Sequence, residues 1–306
     1  MLVSLLLAAC TSPTPEPTPI PTIESSNIDS ESMPVDAVRV AVLAIRSATA
    51  ANQQYDPILD YLSEEIGRPF VMVPIGQEDQ FTVVEQGEVD FTFNNPLAAT
   101  QIRRLYDTEF LATLSRNNTG PEFSALIVVN AASDITTIED LKDKKGTCVA
   151  FETAAAGCIF QIFHLLQQGI DPFADFASFV ETPSQDNIIL GVLNGTFDVG
   201  FVRTGQLEKM LAEGRFLSMD ELRIIDQADD SFYFPHTTRL YPEWPMAALA
   251  ETDPDLAVAV KEALLALPEG HPSLENANAT GFVPAVDYGP LDELIETLEL
   301  RSWDAK

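Results

Sequence analysis

The sequence predicts an α/β protein built as two lobes, and three observations carry that expectation. Short apolar runs alternate with stretches of helical spacing, the alternation occurs twice over similar lengths, and two further helical stretches return near the end. In the first unit Val38 to Leu43 reads as a buried strand. A loop over Ala44 to Asn52 leads to a helix beginning at Tyr55, where Ile58, Leu59, Leu62 and Ile66 keep helical spacing until Gly67 stops it. Phe70 to Pro74 is a second strand and Phe81 to Gly87 a short helix. Val89 to Phe93 is a third strand, ending at Asn94-Asn95-Pro96. Strands and helices in strict alternation with short loops imply a parallel sheet covered by helices.

The pattern then repeats. Phe123 to Val129 is rich in strand formers, Ile138 to Leu141 makes a short helix, and Gly146 to Phe151 a strand. Residues 155–168 form a helix closed by Gly169, with Pro172 just beyond. A short strand at Phe179-Val180, a helix over Gln185 to Leu193, a strand over Phe197 to Val202 and a helix over Gln206 to Ala212 complete the unit. Helical residues 254–267 and 290–300 pack back on the first unit. The expected lobes are therefore 37–125 plus 236–306, and 126–235, each a mixed or parallel sheet flanked by helices. Two crossing strands near 124–130 and 232–240 join them, and the cleft between such lobes is a common place for a small ligand.

Charge narrows the partners. The chain carries 47 acidic and 17 basic residues, a formal net of −30. Nucleic acid needs a basic stripe and anionic lipid a polybasic patch, so neither is an expected partner. At the start, Leu2 to Leu7 is an apolar run too short to span a bilayer, and it fits the apolar core of a signal peptide ending at small residues. The Leu7-Ala8-Ala9-Cys10 tetrapeptide resembles the lipobox of bacterial lipoproteins, which implies lipidation of Cys10. The usual positive segment before the apolar run is missing, which points to an earlier start. Residues 11–36, rich in Pro, Ser, Thr and acid, read as a disordered tether from the membrane to the folded body.

Three strand-to-loop turns point to the place where open α/β sheets bind ligands, beyond the carboxyl ends of their strands. The first carries Arg46-Ser47-Ala48-Thr49 and the second Asn94-Asn95-Pro96. The third, Glu152-Thr153-Ala154-Ala155-Ala156-Gly157, leads straight into a helix, whose unpaired N–H groups attract an anion. Arg203 and Thr204 follow an apolar strand, where arginine is not wanted for packing; a guanidinium there can fork onto two oxygens of an oxyanion. Tyr55 can stack on a ligand or donate to it. The structural alternatives stay open: a small-residue turn, a surface ion pair for Arg203, and a packed tyrosine.

No cofactor, metal site or catalytic set stands out. His164, His236 and His271 are scattered, and no nucleophile elbow, phosphate loop or His-Glu-x-x-His pattern occurs. The chain is accordingly expected not to be an enzyme. Cys148 and Cys158 could pair in an oxidising compartment, but a strand start and a helix start place their Cα atoms about 8–12 Å apart, beyond a disulfide's reach. Unpaired, Cys158 is either an inert helix cysteine or a contact for a soft ligand.

At this point the chain resembles the periplasmic phosphate/phosphite/phosphonate-binding proteins of ABC importers, near the branch that forms sensor domains of tetrathionate-type histidine kinases. The segments that carry the resemblance include Val40 to Arg46, Pro57 to Leu62, Gly87 to Phe91, Asn95-Pro96, Ile138 to Lys142 and Asp198 to Thr204. Thr238 to Pro245, with its Tyr-Pro-Glu-Trp-Pro stretch, continues the match, as do Gly281 to Pro284 and Asp287-Tyr288. The resemblance implies a type II periplasmic-binding fold that closes on its ligand, with Tyr55, Asn95, the 153–157 turn and Arg203-Thr204 at the cleft. It also implies an extracytoplasmic solute-binding protein whose partner is an ABC permease. The alternative is a sensor that signals to a separate membrane histidine kinase. One departure is visible: many importer members place several hydroxyls in the turn before the helix, whereas this chain has only Thr153 ahead of three alanines.

Overall fold

The computed structural model of the chain describes residues 36–300 except Glu78. The expected signal segment, Cys10 and the expected tether up to Val35 lie outside the described residues. The chain runs through β1 (Val38–Leu43), α1 (Ala48–Ile66), β2 (Phe70–Ile75), α2 (Gln80–Glu85), β3 (Phe91–Phe93), α3 (Pro96–Tyr106) and β4 (Glu109–Arg116). Then come β5 (Glu122–Phe123), β6 (Ala125–Asn130), β7 (Lys145–Cys148), a π-helical turn (Ala155–Ile159) running into α4 (Phe160–Gln167), α5 (Pro172–Asp175) and β8 (Ser178–Glu181). After α6 (Gln185–Leu193), β9 (Val199–Arg203), α7 (Gln206–Ala212) and β10 (Leu222–Ile225), the chain returns through β11 (Tyr241–Pro242) and β12 (Pro245–Ala248). It ends with α8 (Pro254–Ala266), β13 (Ala279–Pro284) and α9 (Gly289–Thr297).

These strands build two mixed sheets, ordered β13-β4-β12-β3-β1-β2 and β10-β6-β9-β7-β8. Each has a parallel triplet, β2-β1-β3 in one and β8-β7-β9 in the other. In each, the strand that arrives from the opposite half lies antiparallel beside the third member, β12 against β3 and β6 against β9. The expected α/β class with mixed sheets is what the chain adopts. Alternation along the strands gives each sheet two buried faces. Val40 and Val42 face α1 and α8, while Ala41 faces α2 and α3. Leu126 and Val128 face α6 and α7, while Ile127 and Val129 face α4.

The sheets are bridged by a two-stranded ribbon, Tyr241 opposite Phe123 and Pro242 opposite Glu122. The expected crossing strands are thus displaced: β6 lies wholly in the second sheet, and residues 232–240 form no strand.

Three local expectations need correction. The first concerns α1, which starts at Ala48 rather than Tyr55. Ser47 caps it by accepting from the Ala50 N–H at 3.1 Å, and the alanines that follow are the strongest helix formers. Pro57 sits inside the helix and cannot donate to the Gln53 carbonyl; the Asn276 side chain donates to that carbonyl instead, at 2.9 Å. Tyr55 therefore lies mid-helix. Second, α3, β4, β12 and β13 occupy stretches where the apolar pattern marks no element, and α3 is started by the Asn95 side chain accepting from Ala98 with Pro96 at its first position.

Third, Cys148 and Cys158 are joined in a disulfide with Cα atoms 5.0 Å apart. The separation expected from a strand followed by a helix fails because residues 149–157 double back. The Val149 N–H donates to the Gly157 carbonyl at 2.9 Å and returns the helix start to the strand end. A free thiol for a soft ligand is thereby removed.

Candidate functional site

A cleft of 810 Å³ opens where the carboxyl ends of β1, β4 and β9 meet the bridging segments. A recess of 80 Å³ adjoins it, sharing Leu43, Phe123, Arg203, Glu243 and Trp244 as walls. Of the residues singled out by sequence, Arg46, Tyr55, Arg203 and Thr204 line the cleft. Asn95, Ala154, Ala155, Ala156 and Gly157 line the recess, and Arg203 borders both. Asn94 and Thr153 line neither, although both are buried beside them.

Their partners separate them further. Arg46 is already engaged: from the loop after β1 it pairs with Asp186 of α6 at 3.1 Å and with Glu213 after α7 at 3.1 Å, clasping the two halves across the lip. Thr204 spends its hydroxyl on the backbone of Ser124, so it anchors the bridge. Asn95 caps α3 and donates from Nδ2 to the Thr153 carbonyl at 3.2 Å, another link between the halves. Tyr55 packs edge-on against Phe93 and near Trp244, forming an aromatic wall. The Thr153 hydroxyl and the Asn94 amide nitrogen have no hydrogen-bond partner among the described residues.

Arg203 is different. It ends β9, its backbone N–H donates to Gln185 Oε1 at 2.8 Å, and its Nε donates to the Thr204 carbonyl at 3.2 Å. No carboxylate lies within ion-pair distance of its guanidinium among the described residues. Burial, then the nearby Arg116, lower its pKa, against smaller support from Glu243 and Tyr55. A cation held this way stabilises an incoming anion more than it stabilises the empty protein.

Beside the recess, the first N–H groups of the helical run from Ala155 have no acceptor within the helix, and methyl-sized side chains leave that backbone open to approach. The arrangement suits the capture of an oxyanion.

The sequence pattern missed Arg116, Glu243, Trp244 and Glu208. Arg116 pairs with Glu243 at 2.7 Å, and both side chains are buried. Burial pulls the Arg116 pKa down, but Glu243 and Tyr55 outweigh it and the net shift is upward. Arg116 closes β4 as Arg203 closes β9, so the same signal, an arginine ending an apolar strand, would have found it had β4 been recognised. Glu208 lines the cleft with Oε2 buried and unpartnered among the described residues, and burial raises its pKa.

Ser124, His236 and Asp230 line up in the order of a hydrolytic triad, with Ser124 Oγ 3.3 Å from His236 Nδ1 and His236 Nε2 3.0 Å from Asp230 Oδ2. They lack the means to react. The serine is fully buried, its hydroxyl donates to the Thr238 carbonyl at 2.6 Å, and it lines neither the cleft nor the recess. Among the described residues no cluster of His, Cys, Asp or Glu is placed to hold a metal, and no helix is long and apolar enough to cross a membrane.

A pair of sheet-based halves enclosing a cleft, with a helix start and a guanidinium turned toward it, is the arrangement of a type II periplasmic-binding protein. Residues 40–288 match the sequence profile of the family described as "ABC transporter, phosphonate, periplasmic substrate-binding protein", and the chain belongs to that family. It is a family of extracytoplasmic binding proteins and not of enzymes.

Solved structures agree on the fold. PhnD1 from Prochlorococcus marinus (MIT 9301), in complex with methylphosphonate, superimposes with a TM-score of 0.71 at 18% identity, covering 87% of this chain and 99% of that one. A binding component of an ABC phosphonate transporter from Pseudomonas aeruginosa gives 0.68 at 14% identity, covering 87% and 85%. In sequence the chain is 27% identical over 236 residues to the tetrathionate sensor histidine kinase TtrS of Salmonella typhimurium (strain LT2), a match over 75% of this chain. The chain spans 39% of that kinase's length.

Proposed function

We propose that the protein captures a small oxyanion of the phosphate or phosphonate class and delivers it to an ABC permease. Its lobes, 37–125 plus 236–306 and 126–235, close around the guest, and lipid on Cys10 tethers it to the membrane. The observation that carries this reading is Arg203: a guanidinium with no carboxylate partner among the described residues, bordering the same recess as the open helix start at Ala155. The net charge of −30 repels an anion at long range, but salt screens that field over roughly 8 Å, and contacts at bonding distance outweigh it. The single hydroxyl at Thr153 leaves recognition to backbone N–H groups and to arginine. A thermal-shift panel of methylphosphonate, inorganic phosphate, sulfate and tetrathionate tests the ligand class, because a ligand that binds only the folded state raises the melting temperature. No shift with any phosphorus oxyanion rejects it. Release of a Cys10→Ser variant from the membrane fraction tests the anchor, and continued retention rejects it.

A second reading, sensing, is favoured by the similarity to the tetrathionate sensor kinase. A shift with tetrathionate and none with methylphosphonate or phosphate would move the protein to that reading.

A further inference from the structure

The disulfide sits where it can do more than add stability. Cys148 is the last residue of β7, in register with Glu181 of β8, and Cys158 lies in the π-helical turn that opens the following helix. Both are fully buried. The loop they close is residues 149–157, and its far side, Ala154 to Gly157, is the wall of the recess. The wall has no long side chain of its own to anchor it, because its residues are three alanines and a glycine. What positions it is a small set of hydrogen bonds to its backbone. Val149 donates to the Gly157 carbonyl at 2.9 Å, Ala154 donates to the Ala150 carbonyl at 3.4 Å, and the Gln161 side chain holds the Ala156 carbonyl at 2.9 Å. The alanines are buried in the core and Phe151 donates to Glu181 Oε1 at 2.6 Å, but without the disulfide a turn of small residues held this way would have more conformational freedom to lose when a ligand orders it.

We infer that the Cys148–Cys158 disulfide is a positioning element of the ligand site, holding the helix-start N–H groups at the recess before any ligand arrives. The bond ties the helix start to a sheet strand at a Cα separation of 5.0 Å, so the ordering cost is met on folding instead of on binding. Thr153 and the Asn95 bridge to its carbonyl lie inside the same closed loop, so the staple also fixes one of the links between the two halves. The inference rests on the reading of this turn as the seat of an oxyanion.

The test is a Cys148→Ala, Cys158→Ala double variant of the full protein, followed by amide hydrogen exchange and by calorimetry with methylphosphonate and inorganic phosphate. Residues 150–158 should exchange at least tenfold faster than in the parent, while β6 and β9 keep their protection, and affinity for whichever probe the parent binds should fall at least tenfold. Unchanged protection in the turn overturns the inference. So does a uniform loss across β6 and β9, which would make the bond a general stabiliser, and so does an unchanged affinity. If the double variant does not fold, the parent held in dithiothreitol, with its two thiols counted by mass after trapping in denaturant, gives the same comparison. If the parent binds neither probe, the oxyanion reading fails by itself, and the exchange pattern alone decides whether the disulfide positions the turn.

Discussion

Each half of the cleft ends a strand in an arginine, and the two arginines are finished differently. Arg116, closing β4 in the six-stranded sheet, is paired with Glu243 at 2.7 Å and also donates to the Ala277 carbonyl at 3.0 Å. Arg203, closing β9 in the five-stranded sheet, has its guanidinium on the Thr204 carbonyl with no carboxylate partner among the described residues, and feels the charge of Arg116. Their pKa values move in opposite directions as a result, up for Arg116 and down for Arg203. A buried charge with its counter-ion is part of the scaffold, whereas a half-buried charge with no counter-ion among the described residues can still be neutralised by a ligand. The contrast sets a scaffold arginine against the candidate ligand arginine.

The largest expected effect tests the scaffold side. Glu243→Gln leaves Arg116 buried without a counter-charge and should destabilise the protein by about 3–5 kcal/mol, read from urea unfolding. Replacing both partners together, Arg116→Met with Glu243→Leu, should restore most of that loss and keep oxyanion affinity within a few fold. If affinity collapses while stability recovers, Arg116 belongs to the ligand as well.

Next is Arg203→Ala, which should weaken oxyanion binding tenfold or more, as for a charge-assisted contact of about 1.5–3 kcal/mol. The stability of the ligand-free protein should stay level or rise slightly, because a cation disfavoured by burial and by Arg116 is removed. A large drop in stability with unchanged affinity would reverse the roles of the two arginines.

A third expectation concerns Glu208, whose pKa is raised by burial. For such a carboxyl the charged form is disfavoured in the folded state, so above its folded pKa it costs stability, which is regained as pH falls through that value. Losing this negative charge from the cleft should also tighten oxyanion binding over the same interval. Glu208→Gln should bind several-fold tighter at neutral pH and lose that part of the pH dependence. Weaker binding would make Glu208 an acceptor for a donor group on the ligand.

The smallest effect belongs to Arg46, whose pairs with Asp186 and Glu213 lie at the solvent-facing lip. Such pairs contribute about 0.2–1 kcal/mol and weaken with salt. Arg46→Gln should open the protein slightly, seen as a larger radius of gyration in X-ray scattering without ligand. If oxyanion affinity falls as far as with Arg203→Ala, Arg46 is a contact after all.

Sheet strands and candidate ligand turns were legible where one physical signal dominated. The apolar run Val38 to Leu43 could only be a buried strand, and Gln185 to Leu193 and Gln206 to Ala212 are helices over the residues their spacing marks. The signal failed where tertiary partners decide. The helix expected from Tyr55 runs back to Ala48, which puts Pro57 in its interior, where Asn276, more than two hundred positions away, takes over the bond that the proline cannot make. The strand β4 gives no clean alternation because six of its eight residues are buried on both faces. The disulfide was hidden by a double-back that only backbone hydrogen bonds reveal. In the site, Arg203 was visible as a charge after an apolar strand, but whether Arg46 meets a ligand or a carboxylate depends on residues 140 and 167 positions away.

A crystal structure with methylphosphonate most directly tests the division between a scaffold arginine and a ligand arginine. The phosphonate oxygens should lie within hydrogen-bonding distance of the Arg203 guanidinium and of the N–H groups at 155–157, with Arg116 still on Glu243. A phosphonate seated on Arg46 or outside the recess, with Arg203 left as it is in the empty protein, would contradict it.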